Sequence, residues 1–181
     1  HDKQLTMTST DMELEMTATL PVAVEQEGKT TVSARKFLDI CRALPADATI
    51  SFKAQDNKAL VKAGKSRFSL STLPSEDFPD SEGANYTDEI SLPQSALKSL
   101  LDETSFAMAS QDVRYYLNGL LIEREEATLR AVATDGHRLA MGSLTTSNKV
   151  TEKNSLIVPR KAILELGRLL SDSDENVTIA F

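Results

Sequence analysis

The feature that most constrains this chain is that part of it occurs twice. "TSTDMELEM" (Thr8 to Met16) matches "VATDGHRLA" (Val132 to Ala140) at the offset of 124 that separates Asp11 from Asp135. "SARKFLDICRAL" (Ser33 to Leu44) matches "PRKAILELGRLL" (Pro159 to Leu170) at 126, from Arg42 to Arg168; "TISF" (Thr49 to Phe52) matches "TIAF" (Thr178 to Phe181) at 129. Three blocks in one order predict the later part of one unit of about 125 residues, followed by the earlier part of a second. A shorter repeat lies inside: "TTVSARKFL", "DEISLPQSALKSLL" and "SLIVPRKAILEL" each read as a strand, a Ser or Pro start signal and an amphipathic helix.

In the helix from Ser33, the predicted N-cap, Phe37, Ile40, Cys41 and Leu44 recur at the spacing of one buried face. Ile163, Leu166, Gly167 and Leu170 do so in the helix from Pro159, which suits a first turn because it has no N–H to leave unpaired. "ATISFKA", "KALVKAG", "SRFSLSTL", "LNGLLIE" and "LRAVAT" alternate as strands with one wet face. "LPSEDFPDSEGANYTDE" (Leu73 to Glu89) collects Pro, Gly, Ser, Asn and acid without periodicity, and no repeat block crosses it, so a domain boundary is expected there.

Composition narrows the class. Apolar residues at 40% and charged residues at 26% suit a globular core, and no apolar run approaches the roughly 20 residues of a membrane helix. The start at His1, with neither an initiator Met nor a signal segment, reads as a piece of a longer chain. Cys41 is the only cysteine, which excludes an internal disulfide and a multi-cysteine metal site and fits a reducing cytoplasm. A net charge of −7 argues against coating nucleic acid with the whole surface and leaves room for a local basic face.

Such a face is visible in the repeat. Arg35, Asp39 and Arg42 lie opposite the apolar side of the first helix, and Lys161, Glu165 and Arg168 hold the same register in the second. The stripe reads either as a solvated face with ion pairs along the helix or as a row of cations facing phosphates. "SQDVRYYLNG" (Ser110 to Gly119) gathers Gln111, Arg114, Tyr115 and Tyr116, which suit phosphate and base stacking or simply the rim of a core. In "TDGHR", Asp135-Gly136 between alternating segments is a hairpin signal. Asp135 and His137 suggest an acid/base pair, yet no matching nucleophile accompanies them, and the only other histidine is His1. The seven glycines form no phosphate loop. No cofactor and no metal site are expected.

With the repeat, the basic helices and "QDVRYYLNG…VATDGHRLA" together, the chain resembles the family of bacterial DNA polymerase III β subunits, the sliding clamps. "TTVSARKFLDICRALP", "SRFSLSTLPSEDFP" and "IVPRK" extend the resemblance over nearly the whole chain. It implies an α+β DNA clamp fold, with antiparallel sheets outside and helices lining a central hole. Residues 1–87 would be a first domain lacking its N-terminal part and residues 88–181 a central domain lacking its C-terminal part, with a third domain absent. The full subunit would encircle double-stranded DNA as a homodimer ring in the cytoplasm, without membrane contact. It would tether polymerase catalytic subunits, the clamp loader and repair proteins through short linear motifs, itself non-catalytic. The resemblance assigns Arg35, Lys36, Arg42, Lys98, Arg160, Lys161 and Arg168 to the DNA-facing side, with Gln111, Arg114, Tyr115 and Tyr116 as secondary contacts. It assigns Leu117, Thr134, Gly136, His137, Arg138 and Leu139 to a peptide-binding pocket, and Lys65, Arg67, Phe68 and Leu70 to the subunit interface. The rival readings are a repeat-built peptide adapter that does not bind DNA and a hydrolase using Asp135 and His137.

Overall fold

Period-2 strands and period-3.6 helices alternate along the chain, and the computed structural model follows them closely. It describes residues 3–79, 86, 88–147 and 149–181. The chain divides into two units, His1–Gly83 and Ala84–Phe181. The division falls within the predicted Leu73–Glu89 segment; the expected boundary residue 87, like His1, lies outside the described residues.

The first unit opens with a hairpin of β1 (Gln4–Thr10) and β2 (Glu15–Pro21). After β3 (Thr31–Val32) come α1 (Ala34–Ala43), β4 (Ile50–Gln55), β5 (Lys58–Ala63) and β6 (Ser66–Leu73), in an antiparallel sheet of order β3-β6-β5-β4. Ser33 caps α1 as expected, its Oγ accepting the Lys36 N–H at 3.5 Å. Ala59, Val61 and Leu70 form a small core, against which Val32, Phe37, Ile40 and Phe68 pack.

The second unit contains β7 (Glu89–Pro93), α2 (Gln94–Ser105), β8 (Gly119–Glu125), β9 (Thr128–Thr134), β10 (Leu139–Thr145), β11 (Asn154–Pro159), α3 (Arg160–Leu169) and β12 (Asn176–Ala180). A four-stranded sheet runs β10-β9-β8-β11, and β12 pairs antiparallel with β7. Leu97, Leu100 and Leu101 of α2 and Ile163 of α3 bury against Leu120, Leu129, Ala131 and Ala133 of the sheet. Each such leucine contributes about 1.5–3 kcal/mol on burial. Arg124 is wholly buried; its Nη1 lies 2.7 Å from Asp88 Oδ2 and donates to the Glu89 carbonyl at 3.1 Å, tying β8 to the chain entering β7.

The duplication extends to the backbone. Adding 124 to the bounds of β1 and β2 gives those of β9 and β10, and adding 126 to the bounds of α1 gives those of α3. Strand into helix occurs three times, as β3–α1, β7–α2 and β11–α3. Two details differ from expectation. Pro93 and Pro159 sit at the N-cap in extended conformation, just outside their helices, because their fixed φ also suits the end of a strand. The predicted apolar face is buried in α3 at Ile163 and the following Leu170, whereas no residue of α1 is fully buried. α3 packs against α2, and the first unit has no second α-helix among the described residues.

Candidate docking turn and basic helix faces

Two turns with one shape close the repeated hairpins. In the second unit, Asp135 Oδ1 accepts the N–H groups of His137 and Arg138, each at 3.0 Å, and Thr134 Oγ1 accepts that of Gly136 at 3.1 Å. In the first, Asp11 Oδ1 accepts from Glu13 and Leu14 at 3.1 and 2.9 Å, and Thr10 Oγ1 accepts from Met12 at 3.0 Å. Thr and Asp recur because each supplies a short side-chain acceptor for a backbone N–H that the turn leaves unpaired. The next position is left-handed in both, with φ of 75° at Met12 and 89° at Gly136. Glycine adopts that region without strain and methionine does not.

These bonds also settle the role of the Asp135 carboxylate. It is occupied by backbone N–H groups and, through Oδ2, by Arg138 Nε at 3.0 Å, so its hydrogen bond to His137 goes to the main chain. The Asp135–His137 acid/base pair of the hydrolase reading is therefore not formed. The same backbone bonds, with Arg138, hold the Asp135 carboxyl below the usual carboxylate range.

Around the turn the structure gathers residues distant in sequence. Leu117 is buried, while Leu139 is 64% exposed on the first position of β10. Arg138 lies over the Phe106 ring, 5.5 Å from its centroid. The loop from Gln111, itself at φ 59°, is pinned by Asn118, which accepts the Asp112 N–H at 2.9 Å and donates to the Asp112 carbonyl at 2.8 Å. Asp112 grips Arg114 through Nε at 3.0 Å and Nη2 at 2.9 Å, and its carboxyl is lowered to about 2 by those bonds. Arg114 in turn reaches the TDGHR turn. Tyr115 and Tyr116 stand beside it edge to face, 5.9 Å between centroids and both exposed. Phe106, Asp112 and Asn118 are contacts of the candidate site that the sequence did not single out. Asp112, two residues before Arg114, was legible as a side-chain turn acceptor; Phe106, 32 residues from Arg138, carried no local signal.

The helix faces carry the cations predicted for phosphate. Arg35, Lys36 and Arg42 are exposed on α1, and Lys161 and Arg168 on α3. Arg168 bonds Glu165 yet stays 72% exposed. Lys98, on α2, is held by Asp172 at 2.8 Å, which raises its pKa. Arg160 is half-buried, and its Nη1 donates to the Met108 carbonyl at 3.2 Å. Lys65 and Arg67 are exposed at the start of β6 and Phe68 is half-buried, but Leu70 is only 7% exposed, in the core of its own unit. β6 pairs with β5 along Ser66–Ser71 and with β3 only at Thr72 and Leu73, so among the described residues its other backbone edge is unpaired along most of its length.

Duplicated strand–helix units, with antiparallel sheets and helices packed on them, define an α+β DNA clamp fold. Two family models match in tandem: the N-terminal domain of the DNA polymerase III beta subunit over residues 1–82 and its central domain over residues 91–181. The chain belongs to the DNA polymerase III beta subunit family. It is 52% identical over 178 residues to the beta sliding clamp of Pseudomonas aeruginosa, covering 98% of this chain and 48% of that protein. It is 48% identical over 179 residues to the beta sliding clamp of Escherichia coli K12, covering 98% and 49%. The crystal structure of the DNA polymerase III subunit beta from Pseudomonas aeruginosa superposes with a TM-score of 0.93 at 51% identity, covering 99% of this chain and 50% of that one. A sliding clamp structure from Caulobacter crescentus gives 0.90 at 34% identity, covering 100% and 50%. The chain thus spans about half the length of the curated relatives it matches.

Proposed function

We propose that this chain is part of a sliding clamp, a non-catalytic processivity factor that encircles duplex DNA and tethers the replicative polymerase. The observation that carries the reading is the matched pair of exposed cation positions on the repeated helices, Arg35 with Lys161 and Arg42 with Arg168, in a protein of net charge −7. A clamp must slide, so sequence-independent binding to phosphate suits it better than base readout. An acidic remainder discourages DNA from binding elsewhere. Residues 1–87 and 88–181 are assigned to the first and central clamp domains, and a third domain completes the ring as a homodimer in the cytoplasm.

The turn Thr134–Leu139, together with Leu117, forms one wall of a pocket for short linear motifs of polymerase subunits, the clamp loader and repair proteins. An exposed turn backbone beside the apolar Leu139 suits an extended peptide. The open edge of β6 serves the subunit interface through its backbone, with Lys65, Arg67 and Phe68 beside it. Lys98 and Arg160 contribute charge near the DNA while keeping their internal partners. Gln111, Tyr115 and Tyr116 are secondary DNA contacts.

Salt-dependent duplex binding tests the helix faces. Replacing Arg35, Arg42, Lys161 and Arg168 together by Gln should weaken binding and reduce the log–log salt slope by about 0.9 for each phosphate no longer neutralised. An unchanged slope would favour the peptide adapter that binds no DNA.

A further inference from the structure

Arg114 stands where two proposed surfaces meet. The resemblance groups it with the DNA-contacting loop, but its guanidinium is committed elsewhere. Asp112 chelates it through Nε and Nη2, and Nη2 also reaches the Asp135 carbonyl at 3.5 Å. The Nη edge of the guanidinium is directed at Gly136: a Cβ built there would meet Nη1 and Nη2 at 3.2 Å and Cζ at 3.6 Å. Gly136 is therefore constrained twice, by its φ of 89° and by the guanidinium packed on it. Asp112 is itself fixed by Asn118, and the Asn118 carbonyl accepts the Arg160 N–H at 2.9 Å, which ties the loop to the start of α3. A chain of bonds thus runs from the helix start through Asn118, Asp112 and Arg114 to the turn.

We propose that Arg114 is a positioning residue for peptide docking: anchored by Asp112, it holds the Thr134–Leu139 turn in the shape that receives the motif, and it does not serve as a phosphate ligand. The docking itself rests on the function proposed above. A planar fork held by two carboxylate oxygens fixes orientation in a way an ammonium does not, so lysine cannot replace it.

The test compares the full-length protein that carries these residues with its Arg114→Lys, Arg114→Ala and Asp112→Asn variants. Hydrogen exchange at the His137 and Arg138 amides reports turn order, with β8 and β9 amides as the control for folding. Binding is measured to a labelled peptide carrying the linear motif of a bacterial DNA polymerase catalytic subunit, and to a short DNA duplex over a range of salt. Arg114→Lys should speed exchange at His137 and Arg138 and weaken peptide binding, each about fivefold or more. Asp112→Asn should do so to a smaller extent, and the duplex salt slope should stay unchanged in all three variants. Retained turn protection in Arg114→Lys, or a slope reduced by about one in Arg114→Ala alone, would overturn the proposal. If the unaltered full-length protein binds neither peptide nor duplex, the proposed function fails, and the exchange rates still decide whether Arg114 holds the turn.

Discussion

Met12 and Gly136 occupy one backbone position in two copies of a turn, and they differ in what the position demands. Met12 is exposed at φ 75° and bears its strain alone; Gly136 also has a guanidinium against it. Gly136→Ala should therefore destabilise the second unit by about 1–2 kcal/mol, read as a lowered urea midpoint. Met12→Gly should be neutral or stabilising by about 0.5 kcal/mol, since the relieved left-handed cost offsets the added entropy of the unfolded chain. The acids of this region predict a pH response. Asp112 and Asp135 both have depressed carboxyls, so their contribution is present above the ordinary carboxylate value of 3.8 and is lost as pH falls through the folded value, about 2 for Asp112. Protection of the Arg114 amide, its exchange relative to the unfolded rate at the same pH, should hold at about pH 5 and fall between about pH 3.8 and 2, and that of the His137 and Arg138 amides should fall below about pH 3.8, ahead of the β8 and β9 amides. Loss of that protection already at about pH 6 would contradict the assignment.

At the scale of elements, the repeat made most of the fold legible from the residues alone. The helix positions and the shared hairpin turn follow from residues that recur at fixed offsets, whereas the Ser33 cap follows from the local sequence, its counterpart being Pro159. Burial was less legible. α1 and α3 show the same apolar spacing, but only α3 finds a second helix to pack on, and that depends on what stands beside an element. The third matched block was the loosest: β4 begins one residue after Thr49, whereas β12 begins two residues before Thr178. Of the candidate site, the turn was legible from Asp135-Gly136, while the partners of Arg114 and Phe106 across the turn were not, because they lie about 20 to 30 residues away in sequence. Arg124 also gave no sequence signal, sitting near the end of β8 as one more charge. Its buried pairing with Asp88 makes Arg124→Ala the most damaging single change expected in the second unit. Removing the arginine leaves the carboxylate without its partner and should cost about 3–5 kcal/mol, measured by chemical denaturation.

Across the whole chain, the distribution of charge carries more functional information than its total. A net −7 taken alone points away from DNA, and only the matched cations on two copies of one helix point back to it. Arg168 shows why an ion pair along a helix does not decide the matter: it bonds Glu165 and still presents most of its surface to solvent. Phosphate can compete for such an arginine, because an exposed pair is worth only about 0–1 kcal/mol. Membership of the clamp family makes topological retention the property to test. The full-length protein that carries these residues should be loaded onto nicked circular plasmid and challenged with salt high enough to screen its interactions with phosphate. A clamp should stay bound to the circle and be released when the plasmid is cut to a linear form. Release at the same rate from circular and linear DNA would contradict encirclement.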